Sequence, residues 1–218
     1  MLSGAIGGGI SGGIVGYNNA LKAAKNVWWG GSTQEEDSYF MKGCDAMGID
    51  PNQAVPKTDD FTLKAQKAWY PNAPMDHVKK FTCVDVGTKF DGANSGAAGA
   101  TRATSINGIL TGNSNVYLNK NIAYQSAEYL YNAMGHELMH VSQNILLQGL
   151  SSSIISNIQF NNMCEFWAYN FRSPTGVMNS FDRQTILGFS TAYPNLYNKM
   201  SQLMNAPWTQ TANFKYPF

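Results

Sequence analysis

The five residues His136-Glu137-Leu138-Met139-His140 are the part of this chain best equipped for chemistry. Two histidines four positions apart share one face of a helix, so His136 and His140 can present ring nitrogens to a single metal ion. Neutral imidazole suits Zn²⁺, and a catalytic zinc takes three protein ligands while leaving a position for water. Glu137 follows the first histidine about 100° further round the helix. From there a carboxylate reaches the water rather than the metal. It would act as general base while zinc polarises a carbonyl. A bare H-E-x-x-H also arises by chance, so the motif needs a helix to carry it and a third ligand to complete it.

The neighbouring residues supply the helix. Ala127, Leu130, Tyr131, Met134, Leu138, Val141 and Ile145 recur at helical spacing, which predicts an active-site helix over 121–148 with one apolar face. Taking His136 as zero, that stripe centres at about 170° and His140 falls at about 40°. The ligand face therefore points away from the packing stripe. Beyond His140 the sequence holds no further histidine, and its carboxylate side chains are Glu165 and Asp182. Glu165 lies in the aromatic, helix-compatible run Asn162-Met163-Cys164-Glu165-Phe166-Trp167-Ala168-Tyr169, 25 positions after His140. That is room for the first helix to end near Gly149 and a second to return with the third ligand.

With these residues in place the chain resembles the gluzincin metallopeptidases, whose third ligand is a glutamate on a following helix. More narrowly, it is similar to the peptidase-type toxin domains at the C-terminus of Rhs-type polymorphic toxins. The likeness is carried by the run from His136 through Val141-Ser142-Gln143, by Glu165-Phe166-Trp167-Ala168-Tyr169, and by a glycine-rich lead-in. It implies an α+β, zincin-like metallopeptidase fold, with a small mixed sheet, an active-site helix and a helical C-terminal half. It implies Zn²⁺ held by His136, His140 and Glu165, Glu137 as base, a polypeptide substrate, and a cognate immunity protein as partner. In many gluzincins a histidine or tyrosine stabilises the oxyanion. His77 and Tyr169 are candidates for that role, beside Tyr124 and Tyr193; for His77 a plain surface position next to Lys79 and Lys80 is the other reading. In zincins the strand before the active-site helix is an edge that pairs with extended substrate, a place residues 115–119 occupy in this chain.

The departures are informative. Metzincins continue to a third histidine, which is absent here. Thermolysin-like gluzincins place an asparagine before the ligand glutamate and an aspartate four residues after it. Cys164 and Tyr169 stand there instead, so the groups that orient the ligands must differ. Asp182 is a candidate for such a group, or else a helix N-cap before Arg183-Gln184-Thr185.

Composition bounds the alternatives. Of 218 residues only 13% are charged and the formal net charge is +1, which gives no basic field for nucleic acid. Cys44, Cys83 and Cys164 are far apart and odd in number, so they read as ordinary thiols rather than a disulfide framework. Residues 1–17 form a glycine-rich lead-in and 18–218 a single domain, divided into an N-terminal part (18–120), the active-site helix and a helical part (150–218). Gly4, Gly8, Gly12 and Gly16 recur every fourth residue, a small-residue pattern suited to close helix approach in a bilayer. The run is too short to span one and lacks the marks of a signal peptide. A flexible segment left by a larger parent, delivered or secreted as its terminal domain, and a membrane-contacting segment both stay open.

Elsewhere the sequence predicts helices over 17–29, from Ser32 to about Gly43, and from Phe61 to Trp69, then a strand from Phe81 to Gly87. Gly, Ala, Asn and Ser over 91–103 predict a mobile loop. Residues 106–110 and 115–119 predict a hairpin about Thr111-Gly112-Asn113-Ser114. Two further classes accompany the enzyme reading: a catalytically inactive zincin-like binding module, and a structural domain whose H-E-x-x-H is a coincidence.

Overall fold

Two aspartates behind a threonine start the helix that braces the sheet. The Thr58 hydroxyl accepts from the Phe61 N–H at 3.2 Å, and Asp59 and Asp60 occupy the first turn, where negative charge suits the helix dipole. The computed structural model describes residues 34–85, 97–156, 160, 161, 164, 165, 168, 191 and 194–198. The lead-in, the helix expected over 17–29, Tyr169, Asp182 and Tyr193 lie outside the described residues. In chain order come α1 (Gln34–Met47), α2 (Asp59–Trp69), a short 3-10 turn (Met75–His77), β1 (Val78–Val84), β2 (Gly99–Ile106), β3 (Ile109–Asn119) and α3 (Ala127–Leu146). Phe160, Asn161, Cys164, Glu165 and Ala168 are helical as well. Helix α1 runs past the expected Gly43 and stops at Gly48, whose φ of +70° ends a helix without steric penalty.

The sheet is mixed and small, in the order β1-β3-β2, with β1 parallel and β2 antiparallel to β3. Three expectations need correcting. The expected turn at Thr111–Ser114 is instead part of β3, where Ser114 pairs with both Val78 and Ala103. The true turn is Asn107-Gly108, closed by the Ile106–Ile109 pair. Both turn residues have positive φ, 50° and 79°, which the two-residue turn matched to strand twist requires. Residues 91–103 are not all loop, because the chain is a strand from Gly99 onward. Small side chains argued against a strand there, but backbone pairing with β3 forms it, and their smallness lets α3 approach. Finally, residues 115–119 are not an edge. They lie in β3, paired on both sides, and β2 is the edge beside the helix.

Helix α3 crosses the sheet with almost its whole length withdrawn from water. The Ser126 hydroxyl caps its start, accepting from the Tyr129 N–H at 3.0 Å, so the helix begins later than the expected residue 121. Its apolar side meets α1 and α2. Tyr131 stacks between Phe40 and Tyr70, at centroid distances of 4.9 and 5.0 Å, with Trp69 edge-on at 5.5 Å. Val116, Leu118, Leu130, Met134, Leu138 and Met139 complete this core. A smaller cluster of Leu110, Leu147, Ile155, Phe160, Cys164 and Leu196 anchors the helical residues around Glu165 against the end of α3. All three cysteines are buried and unpaired. Among the described residues no helix is long and apolar enough to cross a membrane.

Candidate metal centre

One face of α3 is polar and still buried. His136, Glu137, His140, Gln143 and Asn144 lie on or beside it, and side chains so far buried need polar partners inside the protein. The two Nε2 atoms of His136 and His140 stand 3.1 Å apart. Glu165 closes the triangle, its Oε2 lying 3.3 Å from His136 Nε2 and its Oε1 3.4 Å from His140 Nε2. Ligands about 2.0–2.1 Å from a tetrahedral zinc are about 3.3–3.4 Å from one another. Two imidazoles and a carboxylate at that spacing fit the donor set of a divalent ion such as zinc. Among the described residues this is the group of histidines, cysteines and acids close enough to hold one. His136 keeps 11% of its side chain exposed against 2% for His140, so the centre is approached from the His136 side.

Burial acts on Glu137, His140 and Glu165, and for the last two the neighbours reverse its effect. Burial alone would push the Glu165 carboxyl up, but the facing His140 and His136 imidazoles outweigh it and hold the carboxyl below its usual range. For His140 burial disfavours the charged ring, while Glu165 and then Glu137 overcome that and hold its pKa above the ordinary value. Glu137 is raised, mainly by burial, with His136, His140 and Thr101 opposing.

Two strand residues locate Glu137. Thr101 on β2 directs its hydroxyl to the Glu137 side chain, donating to Oε2 at 2.8 Å, and lies 3.0 Å from the Glu137 carbonyl oxygen. Gly99, two residues earlier on the same strand face, has no side chain because none fits. A Cβ there would stand 2.7 Å from Glu137 Cγ and Oε1. Neither residue stood out in the sequence, where this stretch read as loop. Gln143 is the third unforeseen member. It is one turn beyond His140, a spacing that places both on one helix face, and its Oε1 lies 2.8 Å from His140 Nδ1 while its Nε2 donates to the Cys164 carbonyl at 2.9 Å.

The structure brings His136, Glu137, His140 and Glu165 together and places His77 elsewhere. His77 lines a cavity of about 620 Å³ with Gln66, Lys67, Asn72 and Ile145. Ile145 is nine residues after His136, about 180° round the helix, so this cavity opens on the far side of α3 from the ligands. Tyr124 is fully buried and hydrogen-bonded to the Thr62 hydroxyl on α2. No protein-family model, curated protein or solved structure matches the chain.

Proposed function

We propose that this protein is a zinc-dependent peptide hydrolase of zincin-like fold, with His136, His140 and Glu165 as zinc ligands and Glu137 as general base. The observation that carries the reading is the convergence of those three donors at tetrahedral spacing, with a second carboxylate, Glu137, next to His136 on the same helix. Zinc, when bound, supplies Lewis acidity to a scissile carbonyl and acidity to a water. Glu137 would take that water's proton, with the Thr101 hydroxyl holding its carboxylate in place through Oε2. It can then pass the proton to the leaving amine. Edge strand β2, antiparallel to β3 and in contact with Glu137 through Gly99 and Thr101, is the strand against which an extended peptide would pair. For the oxyanion donor, the position of His77 on the far side of α3 leaves Tyr169 and Tyr193 as the candidates. The role of a toxin effector restrained by an immunity protein rests on the sequence resemblance alone.

Near-complete burial of Glu137, only 4% exposed, favours a second reading, a zinc-holding module that does not hydrolyse. One experiment separates the two. Wild type, Glu137→Gln and His136→Ala are offered a broad peptide mixture, with cleavage read by mass spectrometry and bound zinc measured alongside. Loss of the base should lower turnover by about 10²–10⁴-fold with zinc retained, whereas His136→Ala should lose zinc and activity together. A wild type that holds zinc yet yields no more new peptide ends than Glu137→Gln would favour the module.

A further inference from the structure

Gln143 touches both segments that carry the metal ligands, and its two hydrogen bonds are logically coupled. The Cys164 backbone carbonyl can only accept, so the atom facing it at 2.9 Å must be the Gln143 amide nitrogen. That fixes the orientation of the amide, and its oxygen is then the atom 2.8 Å from His140 Nδ1. An amide oxygen can only accept, so Nδ1 of His140 must carry a hydrogen. In the neutral ring the other nitrogen, Nε2, is then left with a bare lone pair, and it is Nε2 that faces His136 and Glu165. A backbone carbonyl on one segment thus sets the tautomer of a ligand on another.

We propose that Gln143 is the positioning residue of the centre. It locks His140 in the Nδ1–H tautomer with Nε2 free to ligate, and it ties the turn of α3 holding His140 to the helical residues that present Glu165. The assignment rests on the reading of this cluster as a zinc site. It fills a gap that the sequence left, since the place four residues after Glu165, where a resembling enzyme would carry an orienting aspartate, holds a tyrosine. Gln143 is 1% exposed, so water does not compete for either bond.

The test uses the full chain with Gln143→Met, which keeps the length but removes both bonds, and Gln143→Glu, which keeps an acceptor toward His140. Zinc affinity is measured by competition with a chelator. The His140 tautomer is read by ¹⁵N NMR of the imidazole in zinc-loaded protein and in metal-free protein titrated until the ring is neutral. We expect Gln143→Met to lose about 10–100-fold in zinc affinity and to populate the Nε2–H tautomer when metal-free. Gln143→Glu should keep the Nδ1–H tautomer and bind zinc more tightly than Gln143→Met. Zinc affinity unchanged in Gln143→Met, with Nδ1 of His140 still protonated, would overturn the assignment. If the wild type takes up no zinc, the metal reading fails by itself, and the metal-free spectra still decide whether Gln143 sets the ring.

Discussion

The two long faces of α3 are equally dry and are held in opposite ways. On one, Tyr131 sits among Phe40, Trp69 and Tyr70, where ring contacts and excluded water act without direction. On the other, two imidazoles, two carboxylates and an amide satisfy one another through a few directed contacts. The first face tolerates small shifts and stabilises in proportion to area. The second contributes little net stability, because desolvation offsets the attraction of its charges, yet its contacts are directional and specify which atoms meet. Fold stability should therefore be read out on the aromatic side and metal chemistry on the polar side.

The sharpest way to break that division is Tyr131→Ala. Removing a ring stacked on two others should cost about 3–5 kcal/mol in stability by denaturant titration, while the folded fraction still binds zinc with wild-type affinity. Loss of zinc affinity in that fraction would show the two faces to be coupled.

Alkaline pH tests the same side by a second route. Burial pushes the Cys44 thiol up from an ordinary value of 9.0 to about 11, and burial also raises the Tyr124 phenol. Both groups keep their protons longer in the folded chain. Their contribution is fully present below pH 9, and it is lost as pH rises, because the unfolded chain ionises first. Cys44 alone should remove up to about 3 kcal/mol by the time pH passes its folded value. Cys44→Ala should flatten the fall in melting temperature between pH 9 and 11, and an unchanged slope would count against the assignment.

On the polar face the expected stability effect comes from the ion rather than from the side chains. Zinc at a hundred times its dissociation constant should stabilise the fold by about 2.7 kcal/mol, seen as a rise in melting temperature. Glu165→Ala should abolish the rise. A variant that keeps it would remove Glu165 from the ligand set.

Smallest is the contribution of Thr101. A hydrogen bond to a charged group is worth about 1.5–3 kcal/mol, so Thr101→Val should lower turnover about 10–100-fold, with zinc content unchanged. Thr101→Ser, which keeps the hydroxyl, should recover most of it. Equal loss in both would mean that the residue acts by packing alone.

What the sequence disclosed follows the same division. The helix of His136, its apolar stripe and the Thr58-Asp59-Asp60 start were legible because they depend on local spacing and capping. The meeting of Glu165 with the two histidines followed from elimination, since few acids lie downstream. The strand Gly99–Ile106 was not legible, because Gly99, Ala100, Ala103 and Ser105 outweighed the strand preference of Thr101 and Thr104, and its pairing partner supplies the order. The Asn107-Gly108 turn was there to be read, but the Thr111–Ser114 run, equally rich in turn formers, competed with it. Gln143 stood one turn after His140 with its role hidden, because half of that role depends on a carbonyl 21 positions away.

The two-residue turn at Asn107-Gly108 also bears on the order in which the molecule assembles. It joins β2 to its neighbour with almost no chain to close, and such hairpins form in about 1–10 μs. The other partner of β3 is β1, parallel to it and separated by the whole of 85–108, a pairing that must await a longer loop closure. Residues 99–146 hold the hairpin, α3 and the contacts of Thr101 and Gly99 with Glu137, so Glu137 and its support can form as one early unit. The ligand triangle cannot. It closes only when the residues around Glu165 dock on the end of α3, so metal-binding competence should be gained in a later kinetic phase than the β2–β3 hairpin.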